Sequence, residues 1–169
     1  MRQWALSANR VWSQCSIQFS VRDARPVDAD ALGLPIRPQN QQDLSRIHDT
    51  LFPSPPVGAI PLHFAGIWGF QDPTTQFVLH GLGWFFLTGD SSVSRGVKTI
   101  GAMIGSEHLS DSDRLGYLIG HELGHALSLP HSDDGSIMGS NRGIAGDSAK
   151  RISEAQCEQS RRFALTYVM

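Results

Sequence analysis

Only two cysteines occur in the chain, Cys15 and Cys157, and neither belongs to a C-x-x-C pair, which excludes a local redox or zinc-binding cysteine motif. Two readings of them remain: a disulfide tying the terminal elements together, or two unrelated buried thiols. The disulfide is favoured because both residues sit on predicted helices that flank the body of the chain. Closing so long a loop would contribute roughly 4–5 kcal/mol by the loop-entropy argument. It would also imply an oxidising compartment, so the expected location is secreted or periplasmic.

Runs of like charge are absent and the formal net charge is only −2, so neither a nucleic acid nor an anionic membrane is an expected partner. No apolar segment approaches the roughly 18 uninterrupted residues of a membrane helix. The first residues, MRQWALSANRVWSQC, lack the apolar core and small-residue cleavage site of a secretory signal. Internal repeats and low-complexity tracts are also missing. At 169 residues, with 40% hydrophobic side chains, the chain is expected to form one globular domain, 1–169, with a monomer favoured.

Trp4, Ala8, Val11, Trp12 and Cys15 recur at helical spacing and predict a first helix over 3–15. Residues 16–21, SIQFSV, alternate with period two and predict a strand. A proline-rich connection follows from Arg22 to Pro61, with one short helical turn around Asp43 to Leu51. Further strands are predicted at 60–68 and 97–104, and a strand or hairpin at 77–87. Leu115, Leu118, Ile119, Leu123, Ala126 and Leu127 predict a long helix capped between Ser110 and Asp113. Gly116, Gly120 and Gly124 recur on one of its faces and predict a close backbone neighbour. A closing helix is predicted over 153–168, capped by Ser153.

The long helix carries HELGHALSLPH, residues 121–131. His121 and His125 lie four apart, so both imidazoles can face one ion, while Glu122 projects beside them. Pro130 ends the helix, and His131 can fold back as a third ligand. Three neutral imidazoles leave a tetrahedral Zn2+ one open position, the mark of a catalytic rather than a structural site. The expected chemistry is peptide-bond hydrolysis, with Glu122 as general base for a water activated by the metal. H-E-x-x-H alone arises by chance in about one chain of this length in 200, and the third histidine makes the pattern rarer still.

The pattern His121-Glu122-x-x-His125-x-x-Ser128-x-x-His131, followed by Met138 in GSIMGS, resembles the zinc-binding motif and Met-turn of the metzincin metallopeptidases. The resemblance implies an α+β, sandwich-like catalytic domain with a twisted, mostly parallel sheet, a long active-site helix, a Met-turn and a C-terminal helix. It also implies that Met138 forms an apolar floor beneath the imidazoles. Ser128 departs from the family's usual glycine, at a turn where positive φ costs other residues roughly 1–2 kcal/mol. Ser140 stands where astacin-like and serralysin-like branches have tyrosine, so the matrixin-like and adamalysin-like branches are the nearer ones. The chain leaves almost no residues for the strand that matrixin-like domains place before their first helix, which implies a minimal or truncated form.

Among the remaining polar residues, His48, His63, His80 and His108 are expected on the surface or as satisfied core groups. Asp111, Asp113, Asp133 and Asp134 are expected as cap and turn residues, with one of them a candidate acceptor for a ligand imidazole. Arg142, just past the Met-turn, is expected to be solvated. The resulting expectation is a secreted zinc metalloendopeptidase acting on a protein or peptide. Its rivals are a peptidase dedicated to one small or cell-wall peptide, and a non-catalytic binding domain that keeps zinc for stability.

Overall fold

The computed structural model describes residues 2–36, 38, 41–53, 59–65, 81–87, 97–105, 112–139 and 151–167. The first apolar stripe forms helix α1 (Arg2–Trp12), which tightens into a 3-10 turn at Ser13–Cys15 and stops at Ser16 in the left-handed region, φ 55°. Helix α2 (Gln41–Leu51) is longer than the turn expected there. Strands β1 (Leu62–Ala65), β2 (Gly81–Leu87) and β3 (Val97–Gly105) precede the long helix α3 (Ser112–Ala126), and α4 (Glu154–Tyr167) closes the order. Ser153 caps α4 reciprocally: its Oγ accepts the Gln156 N–H, and its own N–H donates to Gln156 Oε1.

The expectation of a mostly parallel sheet is overturned. Helices dominate the described residues, and the sheet is small and mixed, in the order β1-β3-β2. β1 and β3 run parallel over the short register Leu62↔Ala102 to Ala65↔Gly105. β2 and β3 pair antiparallel over a longer register, from Gly81↔Ile104 to Leu87↔Val97, with an irregularity at Phe86/Leu87. The reason lies in the connection: residues 88–96 are fewer than the dozen or more that a parallel crossover takes.

The strand expected at 16–21 is also absent. Phe19 satisfies its backbone through a side chain instead: Asn9 Nδ2 donates to Phe19 O and Phe19 N–H donates to Asn9 Oδ1, both at 2.8 Å. One amide thus does the work of a neighbouring strand, while the Phe19 ring packs edge-on against Trp12, centroids 5.9 Å apart.

Two adjoining clusters form the described core. Ala8 packs with Leu115, Leu118, Ile119 and Leu123 along the α1–α3 contact. Val11, Trp12, Cys15, Leu127, Ile137, Met138, Cys157 and Phe163 belong to the second, where α1, the end of α3, the following loop and α4 meet. Trp12 is fully buried, and its Nε1–H donates to Gly120 O at 3.0 Å, pinning α1 to α3. Gly120 and Gly124 mark a close approach of side chains rather than of the backbone expected there. A Cβ on Gly120 would lie 2.9 Å from Ile137 Cδ1, and one on Gly124 would run into Met138 Sδ.

Since Met138 has no exposed surface, Gly124→Ala is expected to cost about 1–3 kcal/mol in overpacking, more than the helix-propensity gain of about 1 kcal/mol returns. A lowered thermal midpoint checks this. An unchanged or raised one would show that Met138 moves aside freely.

Helix α2 docks on β1 through buried His48 and His63, whose Nδ1 and Nε2 lie 3.2 Å apart with one proton shared between them. Phe52 packs against both rings, at centroid distances of 6.0 and 5.3 Å. Burial, and secondarily the neighbouring His48, push the His63 imidazole down to about 4 from 6.5. Between those two pH values the unfolded chain binds more protons than the folded one at this residue. Its contribution is therefore complete above pH 6.5 and is lost as pH falls towards 4, by up to about 3 kcal/mol. Urea denaturation at several pH values should show this slope in metal-free protein and a shallower one in His63→Gln.

Candidate metal centre

Helix α3 brings His121 and His125 to one face one turn apart, and its end decides where the third histidine goes. Leu129 N–H donates to Gly124 O and Ser128 N–H to His125 O, both at 2.9 Å, which is the Schellman pattern of a helix C-terminus. Ser128 takes the left-handed position of that pattern, at φ 74°. The chain reverses there, passes Pro130 and returns His131 to the two helical imidazoles. His125 Nε2 lies 3.1 Å from His121 Nε2 and 3.1 Å from His131 Nε2.

The other ring nitrogens of His121 and His125 explain how these two rings are aimed. His121 Nδ1–H donates to Ile137 O at 2.6 Å, and His125 Nδ1–H donates to Leu129 O at 2.8 Å. A carbonyl can only accept, so Nδ1 carries the proton in both rings and each neutral ring presents a bare lone pair at Nε2. Two lone pairs at 3.1 Å repel unless a cation lies between them. Zinc–nitrogen bonds of 2.0–2.1 Å in a tetrahedron put ligand atoms about 3.4 Å apart, close to the spacing found. The three histidines are positioned to hold a metal ion, and they are the one such group among the described residues.

Electrostatics favour the neutral, ligating form. Burial, reinforced by the neighbouring His121, lowers the His125 imidazole to about 4. Burial likewise lowers His121, against the raising effect of its bond to Ile137. Protons therefore compete weakly for these two nitrogens at neutral pH. Glu122 follows His121 on α3 and is buried, at 4% exposure, without belonging to the metal-competent group.

The loop after His131 is built from its own short polar residues. Asp134 Oδ1 accepts the Ser136 N–H, and hydrogen bonds from Ser132 and Ser136 hold the Asp134 carboxyl below its ordinary value. Ser136 Oγ accepts the Met138 N–H, and the Ser132 N–H donates to Met138 O, closing the loop on itself. Asp134 is thus a turn residue, as expected, while the acceptors for the His121 and His125 imidazoles are backbone carbonyls. Met138 lies beneath Gly124, in the helical turn between His121 and His125.

Cys15 and Cys157 are disulfide-bonded, with Cα atoms 4.8 Å apart, and the bond joins the end of the α1 region to α4. Sequence reasoning missed the polar face that α4 turns to the metal loop. Gln159 Nε2 donates to Ser128 O at 2.6 Å and lies 3.4 Å from Ser128 Oγ, while Gln156 Nε2 donates to Ser136 Oγ at 3.1 Å. Glutamines three apart on a helix were the available signal. His80, His108, Asp111, Ser140 and Arg142 lie outside the described residues. No helix among the described residues is long and apolar enough to cross a membrane. No protein-family model matches the chain, and no curated protein matches it in sequence.

Proposed function

We propose that the chain is a zinc-dependent endopeptidase whose site is of the metzincin kind. The observation that carries this reading is the convergence of three imidazoles, two of them with Nδ1–H committed to carbonyls, beside a buried glutamate on the same helix. A purely structural site would need a fourth protein ligand and would have no use for Glu122. The spacing to Met138, and its place under Gly124, support the kinship at the level of the site.

His121, His125 and His131 would hold the ion. When bound, zinc supplies Lewis acidity, polarising the scissile carbonyl and making water acidic enough, with a pKa near ~7, to give up a proton at neutral pH. Glu122 would accept that proton and hand it to the departing amine. The carbonyls of Ile137 and Leu129 keep the two helical imidazoles in the ligating tautomer throughout. Because the disulfide is compatible with an extracellular location, the substrates are taken to be proteins or peptides outside the reducing cytosol.

The reading is tested by measuring zinc content and casein cleavage before and after treatment with 1,10-phenanthroline. About one zinc per chain, with cleavage lost on chelation and recovered on adding Zn2+, is expected. Zinc retention without cleavage of casein or of a mixed peptide library would sink the peptidase reading in favour of a zinc-stabilised binding domain. Failure to retain zinc would remove the metal centre itself.

A further inference from the structure

Ser128 occupies a backbone conformation that favours glycine, at the turn on which the third histidine depends. Left alone, such a residue would loosen the turn. Gln159 reaches it from α4: the side-chain amide has two N–H donors, placed 2.6 Å from Ser128 O and 3.4 Å from Ser128 Oγ. The next carbonyl along the chain, Leu129 O, is the one that accepts the His125 Nδ1–H. The backbone held by Gln159 is therefore the backbone that aims a metal ligand.

The second helical ligand is served in parallel. Gln156 spends Oε1 on the Ser153 cap and Nε2 on Ser136 Oγ. Ser136 Oγ also accepts the Met138 N–H, so both anchors flank Ile137, whose carbonyl orients His121. Gln156 and Gln159 share one face of α4, and between them Cys157 is bonded to Cys15. Arg161 adds a hydrogen bond to Cys15 O at 3.2 Å.

Resting on the metal centre proposed above, we propose that Gln159 is a positioning residue for His125, compensating for serine at the glycine position by clamping the Ser128–Leu129 backbone from α4. Because a glycine at 128 would adopt the turn without help, the two positions must be coupled. Loss of the Gln159 donors should matter with serine at 128 and hardly at all with glycine there.

The test compares wild type, Gln159→Met, Ser128→Gly and the double variant. Methionine keeps the length and helix propensity of glutamine and removes its donors, and near-UV circular dichroism verifies folding. Zinc affinity is read by competition with a chromophoric chelator, and the visible bands of the cobalt(II)-loaded proteins report coordination geometry. Gln159→Met is expected to weaken zinc binding about tenfold, the lower range for groups that orient ligands, and to shift the cobalt bands. In the Ser128→Gly background the same change should alter affinity by less than about threefold. Equal affinity and equal spectra for wild type and Gln159→Met would overturn the inference while leaving the metal centre intact, as would an equal loss in both backgrounds. Wild type that binds no zinc would overturn the metal centre and the inference with it.

Discussion

Glu122→Gln is expected to lower the turnover of peptide hydrolysis by about 10²- to 10⁴-fold, the range that a positioned general base contributes, with zinc content unchanged. The carboxamide has nearly the shape of the carboxylate, so a side chain only 4% exposed can be exchanged without opening a cavity. What it loses is the ability to take a proton. The three imidazoles that form the metal-competent group are untouched, and the Ile137 and Leu129 carbonyls continue to orient two of them. Turnover on a fluorogenic peptide, beside metal analysis of the same samples, separates proton transfer from metal retention. Activity within tenfold of wild type would mean that another group acts as base.

The second large effect is expected from the disulfide. Cys15→Ala/Cys157→Ala should destabilise the protein by about 3–5 kcal/mol, because the bond closes a loop with a sequence separation of 142 and removes a large share of the unfolded chain's freedom. For a chain of this size that corresponds to a fall in thermal midpoint of about 6–20 °C. Both cysteines also belong to the buried cluster around Trp12 and Met138, so the cross-link and the core reinforce each other. A midpoint within about 3 °C of wild type would show that packing of Phe163 and its neighbours, and not the bond, keeps α4 in place.

The parts of this molecule that could be read in advance are those whose causes are local. His121 and His125 share a face because the α-helix repeats every 3.6 residues, and Ser153 with Gln156 has the spacing of a reciprocal cap. Ser128 could be recognised as a residue under backbone strain because the histidine after the helix requires a sharp reversal. Contacts set by distant residues were not legible. Nothing in the residue types of Ile137 or Leu129 announces that their carbonyls fix two imidazoles, since every residue carries a carbonyl. Residues 16–21 alternate like a strand, yet Asn9 supplies the hydrogen bonds that a second strand would have given. The sheet was misjudged by following a family pattern, when the short connection 88–96 already required β2 and β3 to be antiparallel.

The bonds from α4 to the metal loop span 20 residues to Ser136 and 31 to Ser128, and the disulfide spans 142. A ribosome making this chain polymerises the whole of HELGHALSLPH before Gln156, Cys157 or Gln159 is added. The nascent protein then has its ligands in sequence but lacks the helix that holds their turns, and closing those long loops is slow compared with forming α3. On the reading proposed above, firm metal capture waits until synthesis has passed the closing helix and the two cysteines have met.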